Sequence, residues 1–214
     1  MTGWLNVAFR SLFTSKERVR DSSSQNAPYA RLSLDQGSAK WHSWRNGIIG
    51  ASDAPVIMGE NPWKSAARLL AEKNGLHERF RGNEKTRRGA ALEPTARSLY
   101  EIRNKMKVPP AVLQRRDRLW QCASVDGLDG TGSRVVEIKC GEGVYRHVER
   151  YRAPPTYYVG QLQHILAVTD LYVIHLFCYW PGNPELLIDV PRDQKYIDRL
   201  IEEEERFFKR VQRK

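Results

Sequence analysis

The sequence predicts an α/β domain in which helices flank a mixed β-sheet. Segments with helical periodicity and strand-like apolar runs alternate along the chain in the order α-α-α-β-β-α-β-β-α. The chain has 214 residues, of which 41% are hydrophobic and 28% are charged. These values suit one globular domain with a substantial core.

The first part of the chain differs from the rest. The stretch "DSSSQNAPYARLSLDQGS" is Ser-rich and aperiodic, which is typical of a linker. We therefore expect residues 1–38 to be a poorly packed N-terminal arm and residues 39–214 to be a single domain. The first twenty residues weakly resemble an organellar transit peptide, but an amphipathic extension is the preferred interpretation.

Three helices are predicted in the first half of the domain. "SDAPVIMGENPWKSAARLLAEKNGL" indicates two short helices separated at "GENPW", the second with Ser65 as its N-cap. "RRGAALEPTARSLYEIRNKMK" has apolar residues at helical spacing. Pro94 is expected in the first turn of that helix, where its missing N–H costs little.

The second half alternates strands and helices. "RLWQCASVD" and "RVVEIKC" are predicted to form a hairpin joined by residues 127–132. "PPTYYVGQLQHILAVT" predicts a helix, "DLYVIHLFCYW" a buried central strand, and "ELLIDVP" a further strand. The C-terminal segment predicts a strongly amphipathic helix, with a face formed by Ile197, Leu200, Ile201, Phe208 and Val211.

Charge and cysteine content narrow the functional classes. Thirty-five Lys and Arg against 25 Asp and Glu give a formal net charge of +10. This balance favours an anionic partner, most often nucleic acid, although charge for solubility is the alternative. Cys122, Cys140 and Cys178 are odd in number and lack C-x-x-C spacing, which argues against a disulfide framework or a zinc ribbon. No apolar run is long enough to span a membrane. A reducing, intracellular setting fits best.

Three charged residues form a candidate catalytic group. On a strand, residues i and i+2 share a face, so Glu137 and Lys139 point the same way. The preceding hairpin strand is expected to bring Asp126 beside them. Two carboxylates make a hard oxygen site suited to Mg²⁺ or Mn²⁺, next to a lysine that can orient water. The alternative is a surface hairpin carrying an ordinary Glu–Lys pair.

Four segments carry a resemblance to a known family. "SVDG" followed by "VVEIKC" resembles the core of PD-(D/E)xK nucleases, with Val125 where a proline usually stands. "WHSWRNGIIGASDAPVIMGENPW", "RGAALEPTARSLYE" and "YYVGQLQHILAVT" resemble the entry segment, the G-x-x-x-E helix and the Q-x-Q helix of the phage λ-exonuclease and YqaJ-type viral recombinase family. These segments cover roughly residues 41–180 in the same order. The resemblance implies a restriction-endonuclease-like PD-(D/E)xK fold.

The resemblance also implies roles for individual residues. Asp126, Glu137 and the backbone carbonyl of Ile138 would hold two Mg²⁺ ions, with Mn²⁺ as a substitute. Glu93 would bind or orient the second ion, and Lys139 would position the attacking water.

A pocket for a 5′-terminal phosphate would be formed by Arg45, Ser52, Ser124 and Gln161. Each residue has a plainer alternative: Ser52 as an N-cap, Gln161 as an exposed helix residue, Arg45 as a surface charge, and Glu93 as a first-turn acid. Asp117 is expected roughly where the family has an outer acidic residue. The basic segments "ERFRGNEKTRR" and "YRHVERYRAPPTYY" are candidates for the DNA path, or else solvated loops.

The implied activity is a Mg²⁺-dependent 5′-to-3′ exonuclease on linear double-stranded DNA, producing 5′-mononucleotides and 3′ single-stranded overhangs for recombination. The implied partners are duplex DNA ends, two further copies in a homotrimer, and a single-strand annealing recombinase. The implied setting is the cytoplasm of a bacterial or phage-infected cell. Two alternatives stay open: a restriction-type endonuclease on the same core, and a non-catalytic DNA-binding module.

Overall fold

The computed structural model describes residues 27–78 and 82–213. They form an α/β structure with two mixed four-stranded sheets, which agrees with the predicted class. The first sheet has the order β1-β3-β4-β2, with β3 antiparallel to both β1 and β4, and β2 parallel to β4. Its strands are β1 (Tyr29–Leu32), β2 (Ile49–Gly50), β3 (Ala111–Arg115) and β4 (Gln121–Val125).

The second sheet has the order β5-β6-β7-β8. β6 and β7 run parallel in its centre, and the two outer pairings are antiparallel. Its strands are β5 (Gly127–Leu128), β6 (Val135–Lys139), β7 (Val173–Cys178) and β8 (Leu186–Pro191). The prediction of a buried central strand in "DLYVIHLFCYW" is confirmed by β7, whose residues 174–178 are all buried.

The helices surround these sheets. A 3₁₀ turn over Ala51–Asp53 leads directly into the second helix. The helices are α1 (Ala39–Asn46), α2 (Ala54–Ile57), α3 (Ala66–Lys73), α4 (Glu84–Asn104), α5 (Glu142–Tyr151), α6 (Thr156–Thr169) and α7 (Gln194–Gln212). Within the described ranges, no helix combines the length and apolar character needed to cross a membrane.

Helix α6 is the central packing element. All of its residues from 162 to 169 are buried, and it contacts β3 and β4 of one sheet and β7 of the other. It approaches α2 so closely that a Cβ built on Gly160 lies 2.9 Å from the backbone nitrogen of Pro55. A glycine is therefore required where α6 crosses α2.

The N-terminal boundary differs from the prediction. Residues 29–32 were expected in a poorly packed arm, but they form β1 and pair with β3. Tyr29, Leu32 and Leu34 are 3%, 7% and 9% exposed, so this segment belongs to the core. These apolar residues occupy a short part of a Ser-rich stretch, so they form no clear strand pattern in the sequence. Residues 1–26, including the transit-peptide-like stretch, lie outside the described residues.

The predicted hairpin between "RLWQCASVD" and "RVVEIKC" is wrong. β4 pairs with β2 and β3, whereas β6 pairs with β5 and β7 in the other sheet. Only Asp126 separates β4 from β5, so the chain passes from one sheet to the other at this residue. The two strand patterns were correct, but nothing in them specifies the pairing partner.

Helix α4 begins earlier than expected, and Pro94 lies in its interior. The start is fixed by a reciprocal cap, in which Asn83 Oδ1 accepts from the Thr86 N–H at 3.0 Å and Thr86 Oγ1 accepts from the Asn83 N–H at 2.6 Å. Pro94 lacks an N–H, so the carbonyl of Ala90 loses its helical partner. Proline was a misleading boundary signal here.

A buried ion pair joins α6 to α7 and β4. His164 Nδ1 lies 2.5 Å from Glu204 Oε1, and His164 Nε2 lies 2.8 Å from the Cys122 carbonyl oxygen. Both ring nitrogens face oxygen atoms that can accept a hydrogen bond, an arrangement that favours the doubly protonated imidazolium. Glu204 Oε2 also accepts from Gln121 Nε2 at 2.9 Å. Burial alone lowers the pKa of His164, but the Glu204 carboxylate raises it above its ordinary value.

This pair predicts a pH-dependent stability. Because the folded-state pKa of His164 is raised, the contribution is complete below about pH 6.5 and is lost as the pH rises through the folded pKa. Glu204→Gln is expected to cost about 3 kcal/mol of unfolding free energy at pH 6, and less at pH 9. Urea denaturation at both pH values measures the difference. Glu202→Gln, an exposed change on the same helix, serves as control, and a Glu204→Gln effect that is constant with pH contradicts the assignment.

Gly127 predicts a second stability effect, at the junction between the sheets. A Cβ at this position would lie 2.6 Å from Val136 Cγ1 and 2.9 Å from Val108 Cβ. Gly127→Ala is therefore expected to lower the unfolding free energy by about 1–3 kcal/mol through overpacking. Gly130→Ala is the matched control in the same turn, because nothing lies within 4 Å of its Cβ position. If urea denaturation shows the two variants to be equally stable, the space around Gly127 accommodates a methyl group and the prediction is wrong.

Candidate active site

Strand β6 carries the first part of the site. Glu137 and Lys139 point to one face of the strand, where Lys139 Nζ donates to Glu137 Oε1 at 2.6 Å. Gln161 of α6 joins them, since its Nε2 donates to the same carboxylate oxygen at 2.5 Å and its Oε1 accepts from Lys139 at 3.3 Å. Val136 and Ile138 point the other way, into an apolar cluster with α4. The predicted shared face is thus observed.

Asp126 joins this group from the junction between the sheets. Its Oδ2 accepts from the Ile138 N–H at 2.8 Å, and its backbone carbonyl accepts from Arg97 Nε at 2.8 Å. Arg97 also donates through Nη2 to Glu93 Oε1, one turn earlier on α4. Arg97 therefore ties the carboxylate of α4 to the sheet junction. The structure brings together Glu93, Asp126, Glu137, Ile138 and Lys139.

The carboxylates resist ionisation where they lie. Burial, and then the nearby Asp126 carboxylate, raises the pKa of Glu137 to about 7. Burial raises the pKa of Asp126, and burial together with Asp126 raises that of Glu93. Burial acts to lower the pKa of Lys139, but the Glu137 carboxylate raises it, so the side chain is a firmly held ammonium. Two cations, Lys139 and Arg97, therefore face three carboxyl groups.

The donor set fits a hard divalent cation. Glu137 Oε2 is buried and has no hydrogen-bond partner among the described residues, although burying such an atom unpaired is costly. Additional positive charge would favour the ionised form of all three carboxyl groups, whose pKa values are raised mainly by burial and, for Glu137 and Glu93, also by Asp126. As arranged, no three acidic, His or Cys side chains in residues 27–78 and 82–213 stand ready as a cation cage. Asp126 is engaged by Ile138, and Glu93 by Arg97.

A cavity, here called the Arg45 pocket, adjoins the carboxylate group through Gln161. Arg45 Nη2 donates to Ser52 Oγ at 2.6 Å, and its guanidinium lies over the Trp41 ring, 4.5 Å from the centroid. Trp41 Nε1 donates to Ser124 Oγ at 2.9 Å. The pocket measures about 160 Å³, and Gln161 forms part of its wall. The four residues predicted for a phosphate pocket, Arg45, Ser52, Ser124 and Gln161, thus share one cavity.

Buried charges hold this pocket in place. Lys73 Nζ donates to Asp53 Oδ2 at 2.8 Å and to the Ile48 carbonyl at 2.6 Å. Burial acts to raise the pKa of Asp53, but Lys73 lowers it to about 2. The same Asp53 oxygen accepts from the Gly50 N–H at 3.0 Å. These contacts fix the turn that carries Ser52 relative to the end of α1 that carries Arg45.

Some predicted features lie elsewhere. Asp117 sits at the β3–β4 turn and pairs with Arg115 and Arg118, at the opposite end of β4 from Asp126. The basic segment "YRHVERYRAPPTYY", a candidate for the DNA path or else a solvated loop, is largely helical: residues 145–151 belong to α5, with Tyr145 and Val148 buried, and residues 156–158 begin α6. In the other basic segment, residues 84–88 begin α4, while residues 79–81 lie outside the described part.

Sequence reasoning missed three polar partners of the site. Trp41 links Arg45 to Ser124, Arg97 links Glu93 to Asp126, and Gln36 Nε2 donates to the Val125 carbonyl at 3.1 Å at the pocket wall. The only signal for Arg97 was its i+4 spacing from Glu93. Trp41 has the same i+4 spacing to Arg45, but its contact with Ser124 and that of Gln36 with Val125 join residues far apart in the chain, which leave no local pattern.

Comparison with solved structures identifies the fold. An alkaline exonuclease (LHK-Exo) from Laribacter hongkongensis superposes with a TM-score of 0.71 at 23% identity, covering 82% of this chain and 93% of that chain. The same enzyme in complex with dAMP matches equally at 22% identity. A phage-related exonuclease from Haemophilus somnus 129PT gives 0.56 at 13% identity, over 77% of this chain and 93% of that one. The predicted PD-(D/E)xK fold is confirmed.

Sequence comparison identifies the family. The uncharacterized protein YqaJ of Bacillus subtilis (strain 168) is 25% identical over 190 residues, or 86% of this chain. The chain spans 60% of the length of that relative. The family model for the YqaJ-like viral recombinase domain matches residues 40–172, which include Arg45, Glu93, Asp126, Lys139 and Gln161. This chain belongs to the YqaJ-like viral recombinase domain family.

Proposed function

We propose that this protein is a divalent-metal-dependent deoxyribonuclease that degrades linear double-stranded DNA from a 5′-phosphorylated end. Hydrolysis proceeds 5′ to 3′, releases 5′-mononucleotides and leaves 3′ single-stranded overhangs for recombination. The main support is the position of Gln161, which contacts Glu137 and Lys139 and also lines the Arg45 pocket. A phosphodiester can therefore lie at the carboxylates while a terminal phosphate occupies the adjoining pocket.

The names of the structural relatives agree with this activity. Two of the superposable structures are described as exonucleases. A third structure is the LHK-Exo enzyme in complex with dAMP, a nucleoside monophosphate. The net charge of +10 suits a polyanionic substrate. Because one fold can support several activities, the reaction is inferred from the residues of the site.

The residues we assign to metal binding are Asp126, Glu137, the carbonyl of Ile138, and Glu93. When bound, Mg²⁺ or Mn²⁺ polarises phosphoryl oxygens and lowers the pKa of water. Two ions are proposed because the carboxylates come from two parts of the fold. Asp126 and Glu137 lie at the sheet junction and on β6, whereas Glu93 lies on α4. The raised carboxyl pKa values mean that cation binding competes with protons.

Lys139 acts in this scheme as a positioned cation. Glu137 raises the pKa of its ammonium, and the protonated Nζ can donate hydrogen bonds to water or a phosphoryl oxygen. Glu137 and Gln161 hold Nζ between them, which fixes the donor before the substrate arrives. An ammonium placed where negative charge develops stabilises the transition state.

The Arg45 pocket supplies the preference for a 5′ end. The Arg45 guanidinium and the hydroxyls of Ser52 and Ser124 can all donate to phosphate oxygens. The cavity of about 160 Å³ is large enough for a terminal phosphate. We further propose a homotrimer around the DNA, a single-strand annealing recombinase as partner, and action in the cytoplasm of a bacterial or phage-infected cell.

The metal-site assignment predicts loss of activity on substitution of the acidic group. Asp126→Ala and Lys139→Ala are expected to slow Mg²⁺-dependent digestion of linear duplex by at least about 100-fold. Chelation with EDTA is expected to stop digestion, and Mn²⁺ to restore it. Gel analysis of end-labelled duplex measures the rates.

Asp117→Asn is the matched acidic control, because Asp117 lies at the far end of β4. Full activity of Asp126→Ala would exclude the proposed mechanism. Discrete fragments from a circular plasmid would indicate an endonuclease, and binding of DNA without cleavage would indicate a non-catalytic module.

The pocket assignment predicts a dependence on the end group. Wild-type protein is expected to digest 5′-phosphorylated duplex faster than 5′-hydroxyl duplex. Arg45→Ala is expected to lower kcat/KM for the phosphorylated end by about 10- to 100-fold, because a charge-assisted hydrogen bond is lost. The rate on the hydroxyl end should change little. Arg206→Ala, an exposed change on α7, is the control, and equal losses on both ends would place Arg45 outside a phosphate site.

A further inference from the structure

A row of aromatic side chains extends from the active-site lysine to the surface. Lys139 Nζ lies 4.4 Å from the centroid of the Tyr158 ring. The Tyr158 and Tyr157 centroids are 4.7 Å apart with the planes tilted by 58°. The Tyr157 and Trp63 centroids are 4.9 Å apart at 70°. Three aromatic rings in contact thus connect Lys139 to the loop between α2 and α3.

Trp63 ends this row in an exposed but fixed position. The residue is 72% exposed, yet Asn61 Oδ1 accepts from the N–H groups of both Trp63 and Lys64, at 2.8 and 2.9 Å. The loop is therefore held by an Asx turn rather than left free. A concavity of about 440 Å³ lies beside it, lined by residues of α2, the loop and the start of α3. The indole is presented to solvent on a rigid support.

The contacts within the row leave ring faces available. Trp63 and Tyr157 meet edge to face, so that pair covers at most one ring face. The Tyr157 and Tyr158 rings are tilted and do not stack face to face, and Lys139 covers one face of Tyr158. Tyr157 and Tyr158 are only partly buried. Flat aromatic faces beside a cationic group are the surfaces on which unpaired nucleobases stack, and this stacking depends little on base identity.

We propose that Trp63, Tyr157 and Tyr158 form a stacking track for unpaired nucleobases of the substrate strand, next to the phosphodiester held at Lys139. This inference rests on the proposed function, because its occupant is the DNA strand being hydrolysed. Tyr157, Tyr158 and Gln161 lie within two turns at the start of α6. One helix therefore presents the track, the contact to Lys139 and a wall of the Arg45 pocket, so bases and phosphates of one strand are bound side by side.

The test distinguishes binding through the bases from binding through the sugar-phosphate backbone. Two 5′-phosphorylated duplexes are compared, each with three unpaired nucleotides at the 5′ end: thymidines in one, and abasic residues of equal charge in the other. Binding to the full chain is measured in EDTA by fluorescence anisotropy, with the label at the far end. Wild-type protein is expected to bind the thymidine end about tenfold more tightly than the abasic end.

Trp63→Ala is expected to remove most of that preference while leaving affinity for the abasic duplex unchanged. Tyr172→Ala is the matched control, since Tyr172 is 81% exposed and lies immediately before β7, outside the row. An undiminished preference in Trp63→Ala, or an equal loss on both duplexes, overturns the stacking track. A changed oligomeric state of Trp63→Ala in sedimentation velocity also overturns it, because Trp63 would then belong to a contact between copies.

The result also distinguishes this inference from the proposed function. Wild-type protein that digests duplex with Mg²⁺ but shows no preference for thymidine over abasic ends retains the nuclease assignment and excludes the track. Wild-type protein that neither digests nor binds either duplex excludes both.

Discussion

The accumulation of buried carboxyl groups around one lysine is the constraint on which the rest of the site depends. Glu137 is 2% exposed and its pKa is raised to about 7, so the fold keeps an acid where ionisation is costly. Such an arrangement lowers stability unless an additional cation is bound. Hydrogen bonds from Lys139, Gln161 and the Ile138 N–H compensate part of this cost. The surrounding elements are arranged to supply these donors.

Helix α6 unites the two halves of the proposed site. It is nearly fully buried along its second half, which anchors it between the sheets. Its first half is left to carry functional side chains, and Gln161 belongs to both the carboxylate group and the Arg45 pocket. The close approach at Gly160 and the His164–Glu204 pair fix the helix on two sides. Stability of the core and geometry of the site therefore depend on the same element.

Much of the site was predictable because its signals are local or belong to the family. The alternation along β6 puts Glu137 and Lys139 on one face, and the family resemblance pointed to Arg45, Ser52, Ser124 and Gln161, which share one cavity. What escaped prediction depends on tertiary contacts. Neither strand sequence indicates that β4 and β6 belong to different sheets. The residues of β1 pack into the core despite the linker-like composition around them. The cap at Asn83 starts α4 ten residues before Pro94, which had suggested a later start. A buried imidazolium at His164 requires Glu204, forty residues away in the chain.

The single-residue passage between the sheets sets a strict limit on how this sequence can change. Asp126 alone separates β4 from β5, so no loop lies between the two sheets at this point. A shift of either sheet therefore displaces the Asp126 carboxylate. One inserted residue would turn the buried side chain of Leu128 in β5 to the opposite face. Loops at the outer strands can lengthen without this consequence. Insertions are thus expected to be tolerated in the outer loops and excluded at Asp126, where the chain passes between the sheets.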